Sequence, residues 1–338
     1  RGRSPVAGER DTVGHVDETG PTPPPVLITA FSRPDRLARL LESLKPAAPP
    51  IVRIAIDGPR HEGDVAGVHE TRRVAENVPW DCDLQVWARD TNAGIATAIP
   101  QAVSRALTEF DRVFVIEDDV AVGPQAYEYM SRALDLWRLD LSVYSISAYN
   151  MVPIDHLSRP DEPVRLSRVM SSYAWGTWRD RWEAYDPNMT WFAQQSLADL
   201  TDFFGSRIVA LRWRQHHRMV STGLVDSWAY RWVMSTWAHD GTSVVPNRNL
   251  VDYHGATGGS HTRRRRPWQE LEIDEIDLSH LSGSARLDPS GERFLQRRNQ
   301  RATSTSVILG PLEYLALNLS QSRLRGRRIA RKERGTGS

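Results

Sequence analysis

Apolar positions in the first half of the chain follow two alternating rhythms. Val26-Leu27-Ile28-Thr29-Ala30-Phe31 is a short continuous apolar run, the pattern of a buried strand. Leu37, Leu40, Leu41 and Leu44 then fall at helical spacing and predict one apolar helix face. Ser32 stands where a cap would, Pro34 sits in the first turn, and Pro46 ends the element. Ile51 to Ile56 repeats the strand pattern and stops at Asp57-Gly58-Pro59. The spacing next predicts a helix around Val65 to Asn77, a strand at Leu84 to Ala88, and a turn at Asn92-Ala93-Gly94. Ile95 to Phe110 reads as a helix carrying Ile99, Val103 and Leu107. Arg112 to Ile116 is a fourth strand, and it runs directly into Glu117-Asp118-Asp119.

Strand and helix thus alternate four times in about 90 residues. Parallel strands need crossovers of this length, so the pattern predicts an α/β fold with a doubly wound sheet and helices on both faces. Ligands of such sheets sit beyond the carboxyl ends of the strands. The informative corners are therefore Ser32-Arg33, Asp57-Gly58, Arg89-Asp90 and Glu117-Asp118-Asp119, and three of these four carry acids. After Pro124 a further helix has Tyr127, Met130, Leu134 and Trp137 on its apolar face, and Leu141 to Ala148 reads as another strand. The pattern then becomes irregular and aromatic up to about His261, and Arg263 to Arg266 closes it. The expected organisation is a disordered arm over 1–25, one catalytic-size domain over 26–265 with halves 26–122 and 123–265, and an extension over 266–338. That extension ends in a helix from Pro311 to about Lys332, apolar first and basic later.

Composition narrows this picture only slightly. An apolar fraction of 40% and a charged fraction of 25% are ordinary for a globular protein, and a net charge of +1 singles out no partner. The one cysteine, Cys82, cannot form an internal disulfide. No apolar run approaches the roughly 18 residues a membrane-spanning helix needs, and residues 1–25 lack the apolar centre of a signal peptide. Twelve tryptophans are unusual, and most lie between Trp175 and Trp237. Dense tryptophan reads first as core and second as an aromatic platform for a sugar.

The strongest chemical signal is Val113-Phe114-Val115-Ile116-Glu117-Asp118-Asp119-Val120. A buried strand delivers three adjacent carboxylates to the ligand edge of the sheet. Such carboxylates repel one another, and desolvating them is costly unless a cation is present. Hard divalent ions, Mn2+ or Mg2+, take carboxylate oxygens and prefer to bind together with substrate phosphates. The run therefore suits a metal–diphosphate site, and a solvated acidic turn is the plain alternative.

The segment "VFVIEDDVAVGPQAYEYM" resembles the DxD-type signature of GT-A glycosyltransferases. It is closest to the Glu-Asp-Asp form of the β-1,2-N-acetylglucosaminyltransferase family and to bacterial proteins grouped with family 2 transferases. "PVLITAFSRPDRLARLLESL", "IAIDGPR" and "NAGIATAIPQAVSRAL" resemble the segments preceding that signature, and "SVYSISAYN", "SSYAWGTWRDRWEAYD" and "VDSWAYRWVM" resemble the acceptor-side segments following it. The likeness spans about residues 26–262. It implies a Rossmann-like GT-A fold with a mixed sheet and a nucleotide-sugar-binding half at 26–122. The implied activity is transfer of a sugar from a nucleotide-sugar donor, UDP-linked by preference, to a carbohydrate, lipid-linked or small-molecule acceptor.

The same resemblance distributes roles. Asp119 becomes the direct metal ligand, Asp118 faces the donor ribose or sugar, and Glu117 and Asn92 belong to the donor site. Asp57 becomes a partner of the nucleobase or ribose, although Asp-Gly is also a strong turn dipeptide. Arg33 would lie near the nucleotide, where a guanidinium pairs well with phosphate. Asp226 is the candidate general base of an inverting transfer. Resembling enzymes carry two adjacent acids there, and this chain has Asp226-Ser227, so a helix N-cap is the competing role. His261, on a glycine-rich loop, would complete the metal or diphosphate site. Trp175, Gly176 and Trp178 would form an aromatic acceptor wall, with core packing as the alternative. His216-His217 reads as surface helix.

The basic stretch from Arg323 to Arg334, after apolar Leu312 to Leu319, reads first as a solvated tail; peripheral contact with an anionic membrane surface and nucleic-acid binding are the alternatives. The expected location is cytoplasmic, at the inner face of the membrane, and no nucleic-acid partner is expected. Two other readings remain. A nucleotidyltransferase normally has a glycine-rich phosphate loop after its first strand, where this chain has Phe31-Ser32-Arg33-Pro34. A non-catalytic sugar- or protein-binding relative of the fold is kept open by Ser227.

Overall fold

A computed structural model describes residues 23–253, 271–312 and 314–315. The first strands and helices appear where the pattern puts them: β1 (Val26–Ala30), α1 (Pro34–Leu44), β2 (Ile51–Ile56), α2 (Glu62–Ala75), β3 (Asp83–Ala88), α3 (Ile95–Glu109) and β4 (Arg112–Glu117). A short β5 (Val120–Val122) follows the acids, then α4 (Ala126–Leu136), β6 (Val143–Ser147), β7 (Val164–Ser167) and β8 (Ala174–Trp178). The aromatic region supplies α5 (Arg179–Trp182), α6 (Thr190–Gln194), α7 (Leu197–Phe204), α8 (Arg207–Ser221) and α9 (Trp228–Trp237). β9 (Thr242–Pro246), β10 (Val251–Tyr253) and α10 (Pro289–Phe294) follow, and residues 304–312 and 314–315 are also helical.

Eight strands form one mixed sheet in the order β3-β2-β1-β4-β8-β6-β9-β7, flanked by helices. β3, β2, β1 and β4 are parallel, β8 runs against both β4 and β6, and β7 runs against β9. This is the doubly wound mixed sheet that the alternation and the GT-A likeness lead one to expect. Register fixes what the strand ends present. Ala30 pairs with Ile56, Ile56 with Ala88, and Thr29 with Glu117, so Phe31, Asp57, Arg89 and Asp118 emerge along one edge. Backbone hydrogen bonds carry the ladder one step further, from Asp57 N to Ala30 O at 3.1 Å and from Asp118 N to Thr29 O at 3.0 Å.

The apolar faces read from the sequence are buried. Leu37, Leu40, Leu41 and Leu44 turn inward from α1, and Val103 and Leu107 do so from α3. Ser32 does not cap α1. Arg33 holds that position with no side-chain capping bond, and its guanidinium is used elsewhere. β5 was not legible as a strand. It pairs with β10 in a two-stranded antiparallel sheet, which holds the chain just after Asp119 against Val251 to Tyr253.

The tryptophans belong mainly to the core. Trp137, Trp175, Trp178, Trp213, Trp228, Trp232 and Trp237 are among the largest fully buried side chains. The expected acceptor wall is corrected by this packing. Trp175 is 0% exposed, Trp178 is 2% exposed, and Trp175 stacks on Trp228 with ring centres 5.1 Å apart. A Cβ on Gly176 would meet Met130 sulfur at 2.9 Å and Val113 oxygen at 3.0 Å, so this glycine lets α4 close on β8. All three are buried in the core. His216 is likewise buried rather than on the surface. It stacks on Tyr230 at 4.9 Å, with its Nε2 3.4 Å from Gln300 O.

The expected boundary near 266 does not mark off a separate unit among the described residues. Residues 271–303 return onto the sheet domain. Asp274 N donates to Asn249 O, Asp288 accepts from Ser158 N at 2.9 Å, and Trp213 Nε1 donates to Gln296 at 2.8 Å. Buried Arg165 donates to Asn150 and Asn247 and lies beside Glu292, which accepts from Ser167. The 1–25 arm, except Pro23 to Pro25, lies outside the described residues, as do His261 and the basic stretch beyond 315.

Candidate functional site

The carboxyl ends of β1 to β4 open into a cleft of about 770 Å³. Its walls include Phe31, Arg33, Asp57, Glu117 and Asp118 from the strand ends, Asn92 and Gly94 from the following loop, and Asp226 from the start of α9. The strand ends and Asp226, over 100 residues apart in the chain, are thus brought to one space. Among the described residues no helix is long and apolar enough to cross a membrane.

The acids after β4 are held by arginine. Arg33 forms an ion pair and hydrogen bond with Asp118 and reaches Asp119 Oδ2 at 3.4 Å. Arg36, one helical turn along, lies 3.8 Å from the same Asp119 oxygen. Asp118 also accepts from Phe31 N at 3.3 Å. Burial raises Asp118 to about 6 even though Arg33 opposes the shift. Burial, then Asp119 and Asp118, holds Glu117 well above the usual carboxylate range. Arg33 rises above its ordinary value because Asp118 and Asp119 outweigh its own burial. Two guanidiniums thus pair with Asp118 and Asp119, while burial and those two neighbours push Glu117 toward its neutral form.

The acceptor atoms in this corner test whether a divalent cation fits. Asp119 Oδ1 is buried with no hydrogen-bond partner, an acceptor left open in an electronegative corner. Among the described residues no three His, Cys, Asp or Glu side chains are arranged to hold an ion by themselves. Mg2+ and Mn2+ commonly bind through one or two carboxylates and complete their shell with phosphate oxygens and water. The residues present fit a cation held in that way. Asp119 itself is only 7% exposed and does not line the cleft, which Glu117 and Asp118 do.

Asp57 has a different task from the one the likeness implied. Its Oδ1 accepts from Gly58 N and Ala93 N at 2.9 Å each, and its Oδ2 accepts from Asn92 Nδ2 at 2.8 Å and Gly94 N at 3.0 Å. A carboxylate has about four acceptor positions, and all are used. Asn92 spends its amide on Asp57 and on Gly58 O at 2.9 Å. The pair therefore forms a staple that fixes the 92–94 loop on the cleft wall. Gly94 ends that loop with φ +80°, a conformation that favours glycine. A Cβ there would also lie 3.1 Å from Asp226 Oδ2, so the loop and Asp226 approach closely across the cleft.

Asp226 is freed from capping by its neighbour. Ser227 is the N-cap of α9, and its hydroxyl accepts from Tyr230 N at 3.4 Å. Asp226, one residue earlier, is exposed to the cleft and makes no hydrogen bond among the described contacts. The serine that replaces the expected second acid thus has a structural role of its own.

Several cleft residues were not singled out from sequence. Arg60 stands over the Phe31 ring at 4.7 Å, and Arg105 stands over Trp87 at 4.1 Å. With Arg33 and Arg89 they give the cleft four guanidiniums. Arg89 follows β3 directly, at a corner the strand-end rule marked, whereas Arg60 lies four residues past β2, beyond the Asp57-Gly58 corner. Arg105 and Trp87 meet only through the fold. Tyr173 and Tyr253, 4.2 Å apart, pack beside the acids from β8's approach and from β10.

No family model matches the chain. Among solved structures, an apo WbbM bifunctional glycosyltransferase is 10% identical over 47% of this chain and 32% of that one, with a TM-score of 0.29. The chain therefore spans about a third of that protein. A mannose-1-phosphate geranyltransferase from Thermus thermophilus is 13% identical over 68% of this chain and 76% of that one, with a TM-score of 0.33. Mouse xyloside xylosyltransferase 1 is 10% identical over 64% and 82%, with a TM-score of 0.32. Likenesses this distant assign no activity, and the chain's own side chains must carry the functional reading.

Proposed function

We propose that this protein is a glycosyltransferase that moves a sugar from a nucleotide-sugar donor, UDP-linked by preference, to an acceptor hydroxyl with inversion. The reading rests on one observation: Asp118 and Glu117 on one wall and Asp226 on another face the same arginine-lined cleft. The diphosphate of a nucleotide-sugar brings two negative charges, and Arg33, Arg60, Arg89 and Arg105 supply guanidinium donors for it. The flat faces of Phe31 and Trp87, each already carrying a guanidinium, suit a nucleobase.

In this mechanism the Asp226 carboxylate accepts the acceptor hydroxyl's proton as that oxygen bonds to the anomeric carbon. The bond from that carbon to the diphosphate oxygen breaks, and its electron pair leaves with the diphosphate. Arg33, which pairs with Asp118, would stabilise charge on the leaving group. Asp119, with Asp118, would hold Mn2+ or Mg2+, which when bound supplies Lewis-acid neutralisation of the same charge. The Asp57–Asn92 staple keeps the loop beside Asp226 in place, so it positions rather than reacts.

Incubation with a panel of nucleotide-sugars and candidate acceptors, read as glycoside formed, tests the assignment. Asp226→Asn is expected to lower transfer by about 10² to 10⁴-fold while donor binding persists. Full transfer by that variant would remove Asp226 from the chemistry.

A further inference from the structure

The segment 304–315 is helical where described and turns its apolar side the wrong way for a globular protein. Thr303 caps it, accepting from Ser306 N at 3.2 Å. One face packs on α8: Val307 O accepts from Gln215 Nε2 at 2.8 Å, Gly310 is buried against Gln215, and Arg218 lies 4.2 Å over the Tyr314 ring. The opposite face carries Ile308, Leu309, Leu312 and Leu315, exposed by 74%, 48%, 61% and 52%. Ile308, Leu312 and Leu315 are spaced i, i+4 and i+7, so they form one continuous stripe. A single exposed leucine needs no explanation, but a contiguous stripe on a docked helix marks a surface that something covers.

Charge identifies the cover. From Arg293 to Leu315 the chain carries four arginines, Arg293, Arg297, Arg298 and Arg301, against one acid, Glu313, and Arg297, Arg298 and Arg301 are exposed. The sequence after the stripe adds Arg323, Arg325, Arg327, Arg328 and Arg331. An apolar stripe between two basic stretches has the two signals that stable peripheral attachment to an anionic bilayer requires, hydrocarbon insertion and headgroup attraction. An apolar protein partner would need the stripe but not the flanking charge. We propose that the helix over 304–315 docks this protein on an anionic phospholipid surface, with Ile308, Leu312 and Leu315 inserted. The docking is independent of the donor cleft. It accounts for basic and apolar features that the transferase reading leaves unused.

Flotation of the full chain with phosphatidylcholine vesicles, and with vesicles of equal parts phosphatidylcholine and phosphatidylglycerol, tests it. Binding is expected to the anionic vesicles alone and to weaken as salt rises. The Ile308→Glu/Leu312→Glu pair should weaken it by about tenfold per side chain, with thermal unfolding unchanged because both are exposed. Three outcomes would overturn the proposal: no binding to anionic vesicles; binding unchanged in that pair but lost in Arg325→Glu/Arg327→Glu/Arg328→Glu; or a solution dimer that the apolar pair dissociates, which would give the stripe to a second copy.

Discussion

Removing the Asp57 carboxylate should unfold a loop before it affects any ligand. Asp57 is 9% exposed and accepts four hydrogen bonds, two at each oxygen. A bond to a charged group contributes about 1.5–3 kcal/mol, but three bonds to one short loop and one to the neighbouring Gly58 N are not additive, and water can reach part of a relaxed loop. Asp57→Ala is therefore expected to destabilise the protein by about 3–5 kcal/mol. Asp57→Asn can keep the oxygen that serves Gly58 and Ala93 but turns an amide toward Asn92 and Gly94, which are themselves donors. About half the loss, roughly 1.5–3 kcal/mol, should remain. Urea unfolding supplies the free energies, and hydrogen exchange at the Ala93 and Gly94 amides locates the change. A loss below about 1 kcal/mol for the alanine variant, with both amides still protected, would refute the staple and return Asp57 to the ligand.

Other expectations follow from packing and burial. Gly176→Ala should cost about 1–3 kcal/mol, because its Cβ would meet Met130, Val113 and Leu134 inside 3.2 Å; an unchanged melting temperature would contradict that contact. His216, pushed down to about 3 by burial and by Arg212, stays neutral in the fold. Below about pH 6.5 the unfolded chain gains a proton that the folded chain refuses, so this group lowers stability as pH falls, by up to about 1.4 kcal/mol per pH unit. His216→Gln should flatten that part of the urea-midpoint profile between about pH 4 and 6, and an identical slope would exclude the effect. Arg33→Ala should weaken nucleoside-diphosphate binding by about tenfold or more, and a titration showing equal affinity would place the diphosphate elsewhere.

How much could be read from sequence depended on whether the signal was local. The leucines of α1 and the apolar runs of β1, β2 and β4 are buried as their local pattern indicates, so most of the parallel half of the sheet was legible, and with it the edge where the acids emerge. The aromatic half was not, because β8 is central and buried on both faces, and its Trp175-Gly176-Thr177-Trp178 shows neither period. The same lack of period let tryptophans of the core look like a sugar platform. Asp57 shows the limit of chemistry read by residue type: its partners, Asn92 to Gly94, lie about 35 residues away and consume the carboxylate. The clustering of Arg60 and Arg105 over Phe31 and Trp87 depends on the register of three strands and a helix, and no spacing in the chain encodes it locally.

Calorimetric titration of the full chain with nucleotide-sugars and their nucleoside diphosphates, with and without Mn2+, addresses the central claim most directly. The account predicts saturable binding of at least one nucleotide, strengthened by Mn2+ and weakened about tenfold or more in Asp119→Ala. Absence of heat with every nucleotide, or an affinity that ignores both Mn2+ and the loss of Asp119, would contradict it.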